Sequence, residues 1–272
     1  MSEQSFAASP GTTGAKRQLI FSLICTVLLA YLYVGWSRSS WIIAVDHAAF
    51  DLFSKMTRRS WAVDTMIVQI FRTHTAKIFP LLVCIVWLAF ERRRRGQDNA
   101  FFGQMILGSL AAMTVSRLIQ NFSPHRPRPL HSSELGYQLP FGIDTTVLEG
   151  WSSFPSDTTA LAFSIAASIF IVSRRLGMVA FLWAATVVAF PRSYAGLHYP
   201  SDLLGGALIG LIATFGLAPL ILRPIASRSS LVVDTKWQPF LWAAAFLYMF
   251  QLATMFDDIR AYGSFVKTVL QP

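Results

Sequence analysis

Long apolar segments alternate with short polar ones along most of the 272-residue chain. A helix that crosses a bilayer needs about 20 mostly apolar residues, and seven segments come close to that length. The pattern therefore predicts an all-α protein, a polytopic transmembrane helical bundle of six to seven spans. The predicted spans are residues 18–36, 75–91, 101–122, 157–173, 178–196, 202–222 and 238–256.

Two stretches outside these spans have different patterns. In residues 40–72, aromatic side chains are interleaved with charged ones, which favours an amphipathic helix in the membrane interface. Residues 1–15 are polar and small, so we expect a disordered tail there. Lys16 and Arg17 resemble the start of a signal peptide, but no small-residue cleavage site follows, which favours an uncleaved first span. We expect residues 16–272 to form a single integral membrane domain.

Basic residues indicate the orientation of the spans, because cytoplasmic loops are enriched in Lys and Arg. The run ERRRRG at 91–96 and the arginines of SRRLG at 173–177 fall on one side if the spans alternate. Arg58, Arg59 and Arg72 fall on the other side, but the four-arginine run outweighs them. We therefore expect the side with the basic loops to be cytoplasmic and the remaining polar loops to face outward. Our expectation for the location is a bacterial inner membrane, with these loops facing the periplasm.

The composition favours a membrane partner over a nucleic acid. Hydrophobic residues make up 54% of the chain and charged ones only 14%, whereas soluble domains carry about 25% charged residues. The net charge of +9 comes from basic residues at the ends of apolar segments rather than on one polar face. This placement suits phospholipid headgroups and a phosphorylated lipid substrate, and it argues against nucleic acid. No disulfide framework and no oligomeric state are indicated.

Two polar loops, 123–156 and 193–201, lie on the outer face in this topology. The second contains Arg192 and His198 and leads into Asp202, in the sequence RSYAGLHYPSD. A carboxylate bonded to one imidazole nitrogen fixes the tautomer and leaves the other nitrogen as a nucleophile or base. Taken alone, the pair is equally typical of a helix-capping carboxylate beside an interfacial histidine.

Arginines on the same face favour a phosphate site. Guanidinium groups bind phosphate oxygens bidentately and keep their charge, and the prolines of HRPRP hold Arg126 and Arg128 stiffly. With Arg192, and with Arg117 at the end of its helix, they would converge on the histidine. Interfacial arginines that touch lipid headgroups would explain one or two of them, but not this pairing. Ser156 begins a helix and would add a hydroxyl to the anion site, or act only as an N-cap.

These residues resemble the signature of the type-2 phosphatidic acid phosphatase family, the membrane branch of the vanadium haloperoxidase-like superfamily. That family has three motifs, K-x6-R-P, P-S-G-H and S-R-x5-H-x3-D, and the resemblance covers residues 117–206. It implies a phosphatase-like core of about residues 75–222, with 238–256 as an extra C-terminal span. The matched positions are Arg128 and Pro129 in the first motif, Pro155 and Ser156 in the second, and Arg192, His198 and Asp202 in the third, with Pro191 in place of its serine.

The resemblance implies a metal-independent lipid phosphatase or phosphotransferase that needs no cofactor. His198 would attack phosphorus and form a phosphohistidine, with Asp202 orienting the ring. Arg128 and Arg192 would neutralise the phosphoryl oxygens, and Ser156 would donate a further hydrogen bond. The substrate would be a lipid phosphate or diphosphate: a polyprenyl diphosphate, phosphatidylglycerol phosphate, phosphatidic acid or lipid A. Water, or an acceptor alcohol or phosphate, would discharge the intermediate.

The first motif lacks its lysine, since Asn121 stands at that position. Arg117 lies one helical turn earlier and could reach the same space. Arg126 is the alternative source of the missing charge.

The second motif lacks its histidine, the expected general acid, since Thr158 stands there. Losing a general acid costs about 10²–10⁴ in rate. His125 or His131 is a possible surrogate acid, or the leaving group is a phosphate that departs without a proton. The third possibility is a non-catalytic protein that binds or transports lipid phosphates on the same scaffold. An ordinary transporter would instead carry ionisable residues near the bilayer midplane.

Overall fold

The computed structural model describes residues 39–97, 100–146, 148–222 and 238–257, with five single residues outside these ranges. Within this part of the chain all regular secondary structure is helical, which confirms the predicted all-α class. The expected tail 1–15 and nearly all of the expected span 18–36 lie outside the described residues. In chain order, the helices of the described ranges are α1 (Ser40–Ser54), α2 (Trp61–Arg72), α3 (His74–Arg94), α4 (Ala100–Phe122), α5 (Asp157–Val172), α6 (Arg174–Tyr194), α7 (Pro200–Leu222) and α8 (Gln238–Ala253).

Three of these helices, α4, α6 and α7, are long and apolar enough to cross a membrane. A fourth span results if α2 and α3, which meet at a bend of 55°, are counted together, and α5 and α8 are shorter apolar helices. The described residues therefore do not reach the predicted six to seven spans. The stretch 40–72 forms two helices rather than one, because the chain turns between Lys55 and Ser60, where Arg58 has a φ of 60°.

Helix α5 is the centre of the bundle and packs against α3, α4, α6 and α7. Twelve of its 16 residues are buried, as expected for a helix without a polar face. Helix α7 comes especially close, since a Cβ on Gly206 or Gly210 would stand 2.3 Å from the carbonyl oxygen of Ser156 or Ala160. The first turns of α5 and α7 therefore lie together, and the Ser156 N–H donates to the Asp202 carbonyl over 3.1 Å.

Candidate active site

A cavity of about 350 Å³ lies at the end of the bundle where α2, α4 and α6 finish and α5 begins. Arginine side chains from three segments line it, together with a carboxylate from the first turn of α5. The lining residues are Phe71, Arg117, Gln120, Arg128, Leu148, Trp151, Asp157, Thr158, Arg192 and Met255.

His198 lies directly behind two of these arginines, in the loop between α6 and α7. Its side chain is 1% exposed, and its Nδ1 is 2.8 Å from the carbonyl oxygen of Ser153. Its Nε2 is 3.3 Å from Nη1 of Arg128 and 3.5 Å from Nη2 of Arg192. A guanidinium can only donate, so these partners assign the proton to Nδ1 and a lone pair to Nε2. The unprotonated nitrogen therefore faces the cationic groups of the cavity.

The surroundings of His198 keep its ring neutral. Burial and then the positive charge of Arg128 lower the pKa of His198 to about 4, although the Asp202 carboxylate opposes the shift. Burial and then the charge of Arg192 lower the pKa of Arg128 to about 10, so Arg128 stays protonated at neutral pH. At pH 7 the site thus pairs a neutral imidazole with charged guanidinium groups.

Asp202 acts on the ring less directly than the sequence suggested. Its Oδ2 is 3.8 Å from His198 Nδ1, too far for a hydrogen bond. That oxygen accepts instead from the Tyr199 N–H over 2.8 Å, and Oδ1 accepts from Arg126 over 2.5 Å. The ring is therefore oriented by the Ser153 carbonyl, while Asp202 caps α7 and contributes its charge.

Arg126 differs from its expected position as a phosphate ligand, because two carboxylates bind it away from the cavity. Its Nη2 is 2.6 Å from Oδ2 of Asp46 and its Nη1 is 2.5 Å from Oδ1 of Asp202. Although burial opposes it, these carboxylates raise the pKa of Arg126. Asp46 is fully buried on α1 and also accepts from the Ser201 N–H over 3.0 Å. Sequence reasoning missed Asp46, whose only signal is a carboxylate in the apolar segment WIIAVDHAAF.

Hydrogen bonds to two loops, 123–156 and 193–201, hold Arg128 in place. Its guanidinium donates to the carbonyl oxygens of Leu197, Trp151 and Ser152 over 2.8, 3.2 and 3.2 Å. These bonds fix the cation beside His198 Nε2 before any anion binds, the kind of preorganisation that favours charge stabilisation.

Arg117, expected as one substitute for the missing lysine, lies beside the carboxylate of Asp157. It lines the cavity, and its Nη2 is 2.7 Å from Oδ2 of Asp157 while its Nη1 donates to Gln120 over 2.8 Å. Asn121, at the lysine position, is exposed. Sequence reasoning also missed Asp157 as a residue of the site. The available signal was a carboxylate at the position where the second motif has a glycine.

Ser156 and the two proposed surrogate acids lie elsewhere. The Ser156 hydroxyl is fully buried, 3.0 Å from the Thr159 hydroxyl, and does not line the cavity. His125 and His131 are exposed and do not line it either.

The fold and site together define a class: a helical membrane protein with a cavity lined by arginines beside a buried, neutral histidine. Within the described ranges, no group of three or more His, Cys, Asp or Glu side chains could hold a metal ion.

Comparison with known proteins identifies the family that the chain resembles. Residues 102–225 match the model of the PAP2 superfamily, which confirms the resemblance expected from the motifs. The apolar helices and this match indicate an integral membrane protein.

Two curated relatives and one solved structure illustrate the similarity. The bacitracin transport permease protein BcrC of Bacillus licheniformis is 42% identical over 62 residues, which are 23% of this chain and 30% of that protein. The undecaprenyl-diphosphatase BcrC of Bacillus subtilis (strain 168) is 25% identical over 172 residues, 63% of this chain and 81% of that one. The crystal structure of a PAP2 type phosphatidylglycerolphosphate phosphatase from Bacillus subtilis is 20% identical and has a TM-score of 0.49, covering 76% of this chain and 96% of its own.

Proposed function

We propose that this protein is a lipid phosphatase or phosphotransferase that forms a phosphohistidine on His198. The observation that carries the proposal is the lone pair of His198 Nε2, which faces Arg128 and Arg192 at the wall of the cavity. We place the site on the periplasmic face of a bacterial inner membrane, because the arginine run that ends α3 lies at the other end of the bundle. The whole chain would then have six to seven spans in one membrane domain.

In the first step, a phosphoryl group enters the cavity and its oxygens take the guanidinium donors of Arg128 and Arg192. This frees Nε2 of His198 to attack phosphorus, and the bond from phosphorus to the leaving oxygen breaks with its electron pair on that oxygen. The ring now carries positive charge, which the Ser153 carbonyl and the nearby Asp202 carboxylate stabilise.

In the second step, water attacks phosphorus, the bond to Nε2 breaks, and the ring recovers its lone pair. We propose that Asp157 takes the proton of that water, since its carboxylate lines the cavity and is held by Arg117. Transfer to an alcohol or phosphate acceptor would follow the same course.

A diphosphate substrate fits the missing general acid. Thr158 lines the cavity but has no proton acidic enough to assist an alkoxide, whereas a phosphate leaves without one. The similarity to an undecaprenyl-diphosphatase supports a polyprenyl diphosphate within the wider class of lipid phosphates.

The test is phosphate release from undecaprenyl diphosphate by the full chain in detergent, with a chelator present. His198→Ala should lower the rate by about 10³-fold or more, as for loss of other nucleophiles. His47→Ala is the matched control, because His47 is exposed on α1, and it should keep the wild-type rate. Equal rates for wild type and His198→Ala, or a strict need for Mg²⁺, would overturn the histidine mechanism.

A second candidate is a non-catalytic protein that binds or transports lipid phosphates. Thr158 in place of the motif histidine favours it, as does the similarity to a protein named as a transport permease. It predicts that undecaprenyl diphosphate binds to wild type while phosphate release stays at background.

A further inference from the structure

A second cavity, of about 700 Å³, lies between α3 and α8. Phe79, Val83 and Trp87 form one wall on α3, and Phe246 and Phe250 form the other on α8. These side chains are roughly half to two-thirds exposed, as expected for a surface that faces lipid. The cavity is thus an open apolar groove along the outside of the bundle.

The groove lies next to the arginine cavity, because residues close together in sequence line both of them at two places: the bend between α2 and α3, and the end of α8. Phe71 lines the arginine cavity and Thr75, just past the bend between α2 and α3, lines the groove. Met255 lines the arginine cavity, and the preceding Thr254 lines the groove. Met255 is 3% exposed and has a φ of 56°, so the chain leaves α8 in a turn that directs it against the site.

Helix α8 is fixed to the bundle, although it lies beyond the region that matches the family. The Tyr248 hydroxyl is 2.7 Å from the hydroxyl of Ser109 on α4. Leu252, near the end of α8, is fully buried in the main hydrophobic core. The α8 wall of the groove is therefore a stable part of the fold.

We propose that this groove binds the hydrocarbon chain of the substrate lipid while its phosphate lies in the arginine cavity, an inference that rests on the proposed function. An amphiphile with an anionic head and an apolar tail matches the two adjoining surfaces. From Thr75 to Phe90 the groove runs about 22 Å along α3, more than half of the roughly 30 Å hydrocarbon core. The hydrocarbon chain moves from the apolar bilayer into an apolar groove, so its transfer adds little hydrophobic affinity. The groove would instead select substrates by the length and shape of the chain.

The test compares a long and a short substrate in a variant that fills the groove. Val83→Trp places an indole in the groove, and Leu247→Trp is the control, since Leu247 is exposed on α8 but does not line it. The substrates are undecaprenyl diphosphate and isopentenyl diphosphate, whose chain is too short to reach the groove. For Val83→Trp, kcat/KM for the long substrate relative to the short one should fall about tenfold, the size expected from overpacking one site.

An unchanged ratio in Val83→Trp, or an equal fall in Leu247→Trp, would overturn the proposal. If wild type cleaves neither substrate, the proposed function fails, and binding to the groove is then tested by photolabelling instead of catalysis. An undecaprenyl diphosphate analogue with a photoactivatable group along its chain is added to the His198→Ala variant, in which the groove residues are unchanged.

The diphosphate probe should label residues 75–90 and 246–254 more strongly than a photoactivatable phosphatidylcholine does. Equal labelling by both probes would mean that bulk lipid fills the groove. Cross-links between two copies of the chain at these residues would mean that a second copy covers it. Either result would overturn the proposal.

Discussion

The low pKa of His198 predicts that activity persists in acid, below the usual range of a histidine. A histidine in a peptide has a pKa near 6.5, and burial with the charge of Arg128 lowers that of His198 to about 4. The shift favours the neutral ring by about 3 kcal/mol. Since kcat/KM reports groups of the free enzyme, its acid limb from His198 should lie near pH 4. As the pH falls, His198 is protonated in the unfolded chain before it is protonated in the folded one. The contribution of its neutral ring to the free energy of unfolding is therefore complete above about pH 6.5 and declines as the pH falls towards 4.

Removing the nearest charge should move that limb in a known direction. Arg128→Gln deletes the largest cause after burial, so the acid limb of kcat/KM should shift upward towards pH 6.5. Arg192→Gln should give a smaller shift of the same sign, and Arg59→Gln, at an exposed residue, should give none. The assay is phosphate release across about pH 3.5 to 8, a range that contains both the expected limb near pH 4 and the ordinary histidine value near 6.5, with one substrate throughout. Its ionisation is the same for every variant, so the differences belong to the enzyme. A limb that stays fixed in Arg128→Gln would refute this electrostatic account.

Two further predictions concern the second step and the packing of the site. Asp157→Asn should slow hydrolysis more than formation of the phosphoenzyme, so that labelled phosphate accumulates on the protein and survives an alkaline quench; less label than in wild type would contradict its role as the base. Gly206→Ala should lower stability by about 1–3 kcal/mol, because its Cβ would stand 2.3 Å from the Ser156 carbonyl oxygen. Thermal unfolding in detergent measures this, and Gly103→Ala, whose Cβ would have its nearest neighbour at 3.6 Å, is the control; equal midpoints would refute the close approach of α5 and α7.

The helices of the bundle follow from the apolar pattern, because a long apolar segment has few other ways to satisfy its backbone in lipid. The predicted span 101–122 corresponds to Ala100–Phe122, and 202–222 to Pro200–Leu222. The stretch 40–72 was harder, since most of its aromatic and charged residues are exposed but a few are buried. Asp46 and Phe50 are at most 1% exposed, and both pack towards the loops of the site. The sequence alone does not distinguish an ionisable residue that is buried against a partner from one that is exposed to solvent.

The convergence of Arg128, Arg192 and His198 was predictable from motif spacing and from a topology that puts their loops on one face. The partners of each side chain were not, because they depend on competition among groups far apart in sequence. Asp202 had three candidate donors, and Arg126 and the Tyr199 N–H are the two that bond it. The ring of His198 therefore bonds to the backbone carbonyl of Ser153, and no pattern of side chains in the sequence predicts such a partner.

The charges of the site form two layers with different tasks. In front of His198, the guanidinium groups of Arg117, Arg128 and Arg192 face one carboxylate, Asp157, which leaves the cavity with an excess of two positive charges. Such an excess suits a phosphoryl group, whose charge spreads over its outer oxygens during transfer. Behind the ring, a network of two carboxylates and one guanidinium carries an excess negative charge. Burial and the front layer together keep the imidazole neutral. In the proposed mechanism, the phosphate oxygens engage the front arginines, and the negative back layer would stabilise the positive ring of the phosphohistidine until hydrolysis restores the neutral state.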